Sequence, residues 1–312
     1  MAFNVAALTA YIEERDFPLV GAIQFNPEMT AMMATKQAGI KGSSNLHFMS
    51  TSVTFADGSG CARVAADATP FTNKTITVGK MTAPEDLCLD DLRGKWAQIE
   101  LEQGTLTGDQ VLPSAIAEVY FAEKAALLSQ ALDTADWQGD LLSGTNNLSY
   151  YDGWLLAIDA GSPVNGNPTG ITVATGITVA NVISILQGMW QLQPQNIRNK
   201  ADNTIFLGQE VYDLYIMALI NANLFHYVGE DGITKLFGTK VAVRPTYGLN
   251  GTDRIILTYG SNLVIGVDGE NDTDFTARLD PVTNKKILID ADWTRGTQVM
   301  FVEDVVEFTL VP

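Results

Sequence analysis

Apolar and polar positions follow different rhythms along this chain, and the changes of rhythm divide it. Residues 1–45 are small and polar, interrupted by Pro18, Gly21, Pro27, Gly39 and Gly42, which predicts an arm with one or two short helices lying on another surface. From Leu46 to Met81 the apolar positions alternate, in HFMSTSVTF, ARVAA and KTITVGKM, around the turn cluster Asp57-Gly58-Ser59-Gly60. Period-two runs about a glycine-rich turn predict a long two-stranded excursion. A ribbon of that kind is marginal alone in water, so it is expected to lean on a partner surface.

After Ala83-Pro84-Glu85-Asp86 and Trp96, the strongest helical period begins at Leu112-Pro113-Ser114. Ile116, Val119, Tyr120, Leu127, Leu128, Ala131 and Leu132 fall on one stripe, predicting a helix over 113–133 with Pro113 in its first turn and Gly139 at the exit. Tyr151 to Ile158 opens a new unit, and 160–176 reads as a loop of turn formers that tolerates insertion. Thr178 is the expected cap of a second helix carrying Val179, Val182, Ile183, Leu186 and Trp190, stopped by Pro194. A buried strand at 203–208 precedes a third helix from Gln209 to about Leu224, with Val211, Leu214, Tyr215, Ala218 and Leu219 inward.

Strands are then predicted at 240–244, 254–258 and 262–267, as a hairpin over 274–290 turning through Asp280-Pro281-Val282-Thr283-Asn284, and at 297–310. The class is α+β, with helices and strands segregated instead of alternating in βαβ units, which argues against a doubly wound nucleotide-binding sheet.

Charge narrows the partners. Acidic residues number 36 against 19 Lys plus Arg, a net charge of -17 that repels phosphate polymers in the absence of a basic stripe. The densest basic points, Lys36 to Lys41, Lys74 to Lys80 and Lys285-Lys286, are thin, so sequence-specific DNA or RNA binding is not expected. Two cysteines, Cys61 and Cys88, make no disulfide framework and suit a reducing cytosol. The first residues lack a basic leader and meet Glu13, Glu14, Arg15 and Asp16 within one helix length, which reads as an amphipathic arm and not a signal peptide. No apolar run reaches the roughly 20 residues of a membrane span, so the expectation is a soluble protein without a membrane partner.

Candidate chemistry is sparse. The two histidines, His47 and His226, stand far apart without metal-site spacing, and neither HExxH nor paired CxxC nor G-x-S-x-G occurs. Gly58-Ser59-Gly60 and Gly232 to Lys240 have the wrong spacing for phosphate loops and read as turns. Asp268, Glu270, Asp272 and Asp274 look like the start of a calcium loop, but Thr273 replaces the sixth-position glycine and Leu279 the bidentate twelfth, which favours a solvated acidic turn. The carboxylate pairs Asp90-Asp91 and Glu100/Glu102 read as surface, and Trp137, Tyr150, Tyr151, Trp154 and Trp190 as packing anchors. No catalytic, cofactor-binding or metal residue is assigned, no cofactor is expected, and a structural role is favoured over an enzyme.

Several strings carry a resemblance: Leu132 to Asp140 (LDTADWQGD), Tyr151-Asp152-Gly153-Trp154-Leu155, Ile205 to Tyr212 (IFLGQEVY), Leu236 to Val241 (LFGTKV) and Ser261 to Asp268 (SNLVIGVD). In this order the chain resembles, over nearly its whole length, the Hong Kong 97-type major capsid protein of tailed bacteriophages. The resemblance implies an N-terminal arm at 1–45, an extended loop at 46–82, a peripheral domain at 83–152 and 268–295 with a long spine helix, and an axial domain at 153–267 and 296–312.

It further implies a structural subunit that self-assembles into pentamers and hexamers of an icosahedral or prolate head around double-stranded DNA. The expected partners are further copies of the chain, a scaffolding protein, a portal and decoration proteins, with DNA touched only non-specifically. The expected location is the virion, after assembly in the bacterial host cytoplasm. No long helical N-terminal extension is present to act as a built-in scaffold, so a separate scaffold or assembly without one is implied. Some relatives weld subunits through Lys-Asn bonds; Lys74 and Lys80 lie in the proposed loop, but lysines are common in exposed hairpins and no weld is expected.

The competing readings are an encapsulin-like nanocompartment shell that encloses cargo enzymes, a glycan-binding or tail-associated phage protein, and a hydrolase using acidic residues. On the shell reading, deleting 50–78 is expected to leave a folded subunit that cannot assemble. A charge at Leu128 is expected to unfold the subunit.

Overall fold

A computed structural model describes residues 33–49, 54–55, 71–88, 114–144, 146–167, 169–195, 197–223, 235–269, 273–279 and 286–311. In chain order its strands and helices are β1 (Thr35–Gln37), β2 (Ser43–Met49), β3 (Phe71–Thr77), β4 (Gly79–Thr82), β5 (Glu85–Cys88), α1 (Ser114–Gln138), α2 (Trp154–Asp159), β6 (Val164–Asn165) and α3 (Val182–Leu192). These are followed by β7 (Asn203–Leu207), α4 (Gln209–Asn221), β8 (Ala242–Pro245), β9 (Ile255–Tyr259), β10 (Leu263–Gly266), β11 (Thr273–Leu279), β12 (Lys286–Val299) and β13 (Val306–Phe308).

Two larger sheets organise the chain. The first is built around β12, a strand of 14 residues whose period-two pattern buries Ile289, Ala291, Thr297 and Val299 on one face. It pairs antiparallel with β10, β11, β4 and β5, and Asp292 faces Asp274 of β11 across one edge and Thr82 of β4 across the other. β1 adds to β10 in parallel, Thr35 opposite Val264.

The second sheet has the order β6-β13-β9-β7-β8. Its central strands β7 (NTIFL) and β9 (IILTY) are buried at every position, as strands covered on both faces must be. On one face Ile205, Leu207, Ile255 and Leu257 pack against Val182, Leu186 and Met189 of α3 and Val211, Tyr215 and Leu219 of α4. On the other, Phe206 and Ile256 meet Trp137 and Trp154, in a core that also takes in Leu263, Ile265 and Val299 of the first sheet. A third, two-stranded sheet joins β2 to β3.

The α+β class holds, with one local exception: β7, α4 and β8 form a parallel β-α-β crossover, so helices and strands are not wholly segregated. Other boundaries move for identifiable reasons. Thr35–Gln37, within the arm, is a strand, because the backbone of β10 offers it a parallel partner. The hairpin begins at Ser43, and the run ending in KTITVGKM splits at Val78, its last part turning away from β2 to pair with β12 as β4. Glu85–Cys88, given no element in the sequence reading, is a strand on β12.

α1 runs to Gln138, past the predicted end at Asp133, because nothing between Asp133 and Gly139 breaks a helix. Leu127, expected inward, is 57% exposed and Leu128 is only half-buried, so a charge at Leu128 is not the test of this helix that the stripe suggested. α3 starts at Val182, not after Thr178: the Thr178 amide donates to Asn181 Oδ1 at 2.7 Å and its carbonyl accepts the amides of Asn181 and Val182, closing a turn first. The 160–176 loop is held down by pairing of Val164 and Asn165 with β13 and by a bridge from Thr172 to Val311. The final strand is two: β12 crosses position 297 and ends at Val299, and β13 follows a short helical turn at Val302–Asp304.

The turn cluster 57–60, the ARVAA run, Cys61, Asp90-Asp91, Trp96, Glu100, Glu102, His226 and the tip 280–284 lie outside the described residues. Among the described residues no helix is long and apolar enough to cross a membrane.

Candidate assembly surface

The β2–β3 ribbon has one face built into the molecule and one left open. Its register runs from Ser43 opposite Thr77 to Met49 opposite Phe71, which places Leu46, Phe48 and Ile76 on the same side. These three are buried with Ile40 and Val264, and Val78, Met300 and Phe301 pack against them; the Phe48 and Phe301 rings lie 5.7 Å apart. Lys74 Nζ donates to the Val299 carbonyl at 2.9 Å, and Gln298 Nε2 donates to the Thr75 carbonyl at 2.8 Å. Burial lowers the pKa of the Lys74 ammonium, against the opposing pull of Glu303.

The other face carries Asn45, bonded by Thr75 Oγ1 at 2.9 Å, then His47, and at the far end the cross-strand pair Met49 and Phe71. Met49 is 58% exposed and Phe71 77%; Phe55, outside the ribbon's paired residues, is 96% exposed. Large apolar side chains exposed in this way mark a contact surface. Further apolar side chains stand out elsewhere. Leu141 and Leu142 are presented by a turn in which Asp152 Oδ1 accepts the Leu141 amide at 3.1 Å and Asp140 Oδ1 the Leu142 amide at 2.7 Å. Met217 and Ile220 are exposed on α4.

Behind these surfaces, the last two turns of α1 join both large sheets. Asp133 and Asp136, three residues apart, share one helix face and are both buried. Asp136 receives a two-pronged bond from Arg295 of β12, Nε to Oδ1 at 2.8 Å and Nη2 to Oδ2 at 2.5 Å, and its Oδ1 also accepts the Tyr151 hydroxyl at 2.7 Å. Asp133 Oδ2 accepts the Thr246 hydroxyl and, at 2.8 Å, the Gly248 amide, both in the turn that follows β8. Gln138 Nε2 donates to the Gly248 carbonyl at 2.7 Å. Next along the helix is Trp137, fully buried, edge-on to Trp154 at 5.0 Å and tilted against Phe206 at 5.5 Å.

Electrostatics follow from this burial. Desolvation pushes the Tyr151 phenol well above its ordinary pKa, and the Asp136 charge adds to it. Burial pulls the Arg295 guanidinium down, but the charge and hydrogen bonds of Asp136 outweigh it and the net shift is upward. A second ionic knot ties α2 to β13: Arg254 bonds Asp159 at 3.0 Å and also Glu307, whose carboxyl is pushed up by desolvation.

The seat is tight enough to test. A Cβ on Gly248 would lie 2.5 Å from the Asp133 carbonyl and would overlap the Trp137 ring. Gly248→Ala is therefore expected to destabilise the subunit by about 1–3 kcal/mol, the usual range for overpacking, read from the midpoint of urea unfolding.

The residues singled out in the sequence do not converge on a reactive centre. His47 lies exposed on the open ribbon face. Lys74 is turned back onto β12, and Lys80 sits in β4 opposite Thr294, within a sheet and not on a free loop. Of the acidic string, Asp268 follows β10 and Asp274 is already in β11, paired with Asp292, while Glu270 and Asp272 fall outside the described residues. Among the described residues there is no group of three His, Cys, Asp or Glu placed to hold a metal ion. Sequence reasoning passed over Asp133, Asp136, Arg295 and Thr246; the available signal was a pair of aspartates at helical spacing beside Trp137, in a segment otherwise made to be buried.

Comparison with known proteins returns folds only. No family model matches the chain, and no curated protein does. Among solved structures, the satellite phage P4 procapsid including its size determination (Sid) protein aligns at a TM-score of 0.62 and 10% identity, over 95% of this chain and 90% of that one. The capsid of Myoviridae phage XM1 aligns at 0.54 and 15% identity, over 88% and 87%. The capsid of the empty GTA particle aligns at 0.54 and 13% identity, over 93% and 90%.

Proposed function

We propose that this chain, whose α+β architecture is the Hong Kong 97-type capsid fold, is the shell subunit of a tailed phage, assembling into the pentamers and hexamers of an icosahedral or prolate head around double-stranded DNA. The observation that carries the proposal is the ribbon: rooted by Leu46, Phe48 and Ile76, it presents Met49 and Phe71 to solvent, where nothing in the described chain covers them. A segment anchored at one end and apolar at the other is completed by a neighbour. The same contact repeated head to tail closes a ring, because donor and acceptor surfaces differ.

The four-part division belongs to this proposal: arm 1–45, extended loop 46–82, peripheral domain 83–152 with 268–295, axial domain 153–267 with 296–312. So do the partners, a scaffolding protein, a portal and decoration proteins, and the location, the virion after assembly in the host cytoplasm. The role is structural and not enzymatic. With a net charge of -17 the wall touches the packaged duplex only non-specifically, and a weakly repulsive lining lets DNA slide as it enters. Negative-stain microscopy with size-exclusion chromatography of the purified chain tests this. Hexamers, pentamers or closed particles are expected; a strictly monomeric protein at all concentrations would overturn the proposal.

A further inference from the structure

We infer that Asn250-Gly251 is a self-modifying site, at which the folded chain converts its own Asn250 into aspartate and isoaspartate with water as the only co-reactant, while a second Asn-Gly pair, Asn165-Gly166, is shielded by its sheet. An asparagine followed by glycine carries an electrophile and a nucleophile on neighbouring residues, the Cγ carboxamide and the next main-chain nitrogen, and a residue without Cβ leaves the approach open. The sequence holds these two pairs. What separates them is the state of the glycine amide. The Gly166 amide donates to the Glu307 carbonyl at 2.6 Å, in the parallel pairing of β6 with β13, and a Cβ there would stand 2.8 Å from the same oxygen. Asn165 Oδ1 is occupied as well, accepting the Asn167 amide at 2.9 Å. Gly251, by contrast, is exposed at φ 70°, and its amide donates to nothing among the described residues.

Asn250 follows the short helical turn Tyr247–Leu249 with ψ 135°, which holds the Gly251 nitrogen away from Cγ, so the step begins with a rotation about the Asn250 Cα–C bond. That rotation swings out the Asn250 carbonyl, whose bond from Gln138 Nε2 is long, 3.3 Å, and shared with the shorter bond to the Gly248 carbonyl. The same rotation at Asn165 would pull Gly166 off Glu307. Asn250 Oδ1 accepts the Gln209 amide at 2.7 Å, at the start of α4, a donor already on the oxygen where negative charge develops during attack. The deprotonated Gly251 nitrogen bonds to Cγ and the Cγ–Nδ2 bond breaks; the proton taken from the nitrogen returns through water to the leaving group, which departs as ammonia. Water then adds to either carbonyl of the cyclic imide and breaks one C–N bond, giving aspartate or isoaspartate. Aspartate keeps the Gln209 bond and puts a charge at the positive end of α4. Isoaspartate lengthens the main chain by one methylene between Leu249, buried in the core, and Arg254, bonded to Asp159 and Glu307.

The test incubates the full wild-type chain, folded and separately in urea, in warm, weakly alkaline buffer. Each Asn-Gly peptide is followed by mass spectrometry, with an isoaspartate-specific methylation assay alongside. In the folded protein the peptide with Asn250 is expected to show the amide-to-acid mass change about tenfold or more faster than the peptide with Asn165, because the sheet must open locally before Asn165 can react. In urea the two rates should converge. The Asn250 rate should rise with pH, since the attacking nitrogen must lose its proton, and Asn250→Gln should remove the isoaspartate signal of the folded chain. Equal rates in the folded protein overturn the inference, as does an Asn250 that stays intact while folded and reacts only in urea. A product that is aspartate alone, formed at a rate indifferent to pH, overturns the imide route, and a folded-state signal that survives Asn250→Gln places the reaction elsewhere. Subunits and particles serve equally as the sample, so the result is independent of the shell reading.

Discussion

Replacing residues 50–70 with a two-residue Asn-Gly turn is expected to give a folded subunit with near-wild-type melting that forms no shells. The register makes the replacement feasible, because Met49 and Phe71 are directly opposite and a two-residue turn joins such a pair with the twist a hairpin needs. All the inward residues of the ribbon stay: Leu46, Phe48 and Ile76 keep their packing on Val264, and Lys74 keeps the Val299 carbonyl. The longer deletion, 50–78, that the alternating pattern suggested does not isolate the contact surface. It removes Ile76, which is fully buried, along with Val78 packed beside it, and losing even one such side chain costs about 2–5 kcal/mol.

The shorter replacement removes the exposed Phe55, while Met49 and Phe71 remain at a shortened tip. Each large apolar side chain buried against a neighbour contributes about 1.5–3 kcal/mol, multiplied over every copy in the shell. A companion variant, Met49→Ser with Phe71→Ser, changes the open face without shortening the chain and should weaken assembly in the same direction. Chromatography and microscopy read both. Truncated chains that still close into particles of normal size would show that the ribbon is not the clasp, and truncated chains that unfold would show that 50–70 belongs to the core.

Much of this architecture is written locally and was legible for that reason. β7 and β9 are short continuous apolar runs, and α4 repeats Val211, Tyr215 and Leu219 at helical spacing, so their type and place follow from the residues alone. The ribbon's alternation was legible too, but not which side is rooted: Phe48 and Met49 are adjacent and both apolar, and the packing of Leu46, Phe48 and Ile76 on Val264, Met300 and Phe301 turns Met49 outward. β1 and β5 could not be read, since TKQ and EDLC carry no strand pattern and are strands because β10 and β12 offer them backbone partners. The helix-end aspartates look like surface in sequence. What makes them core is Arg295, 159 positions away, and Thr246, 113 positions away, and no periodicity reports a partner at that separation.

Removing the Arg295 guanidinium is expected to be among the most damaging single substitutions in the chain: Arg295→Ala should lower stability by about 3–5 kcal/mol, against a total of about 5–15 kcal/mol for a protein domain. Asp136 is fully buried, and without its two-pronged partner a carboxylate is left desolvated with, among the described residues, only the Tyr151 hydroxyl to hold it. Arg295→Lys should rescue only part of the loss, because an ammonium cannot reach Oδ1 and Oδ2 in the paired geometry of the guanidinium. The double variant Asp136→Asn with Arg295→Met removes both charges, and it should be far more stable than Arg295→Ala, since the larger cost lies in an unpaired buried charge and not in the absence of an ion pair. Urea unfolding of Asp136→Asn alone, Arg295→Met alone and the double completes a cycle, with an expected coupling above about 2 kcal/mol. Additive effects, or a loss below about 1 kcal/mol in Arg295→Ala, would mean that α1 is seated by Trp137 and its neighbours alone. The direction of the helix would then be set by apolar packing, and the carboxylates would merely tolerate it.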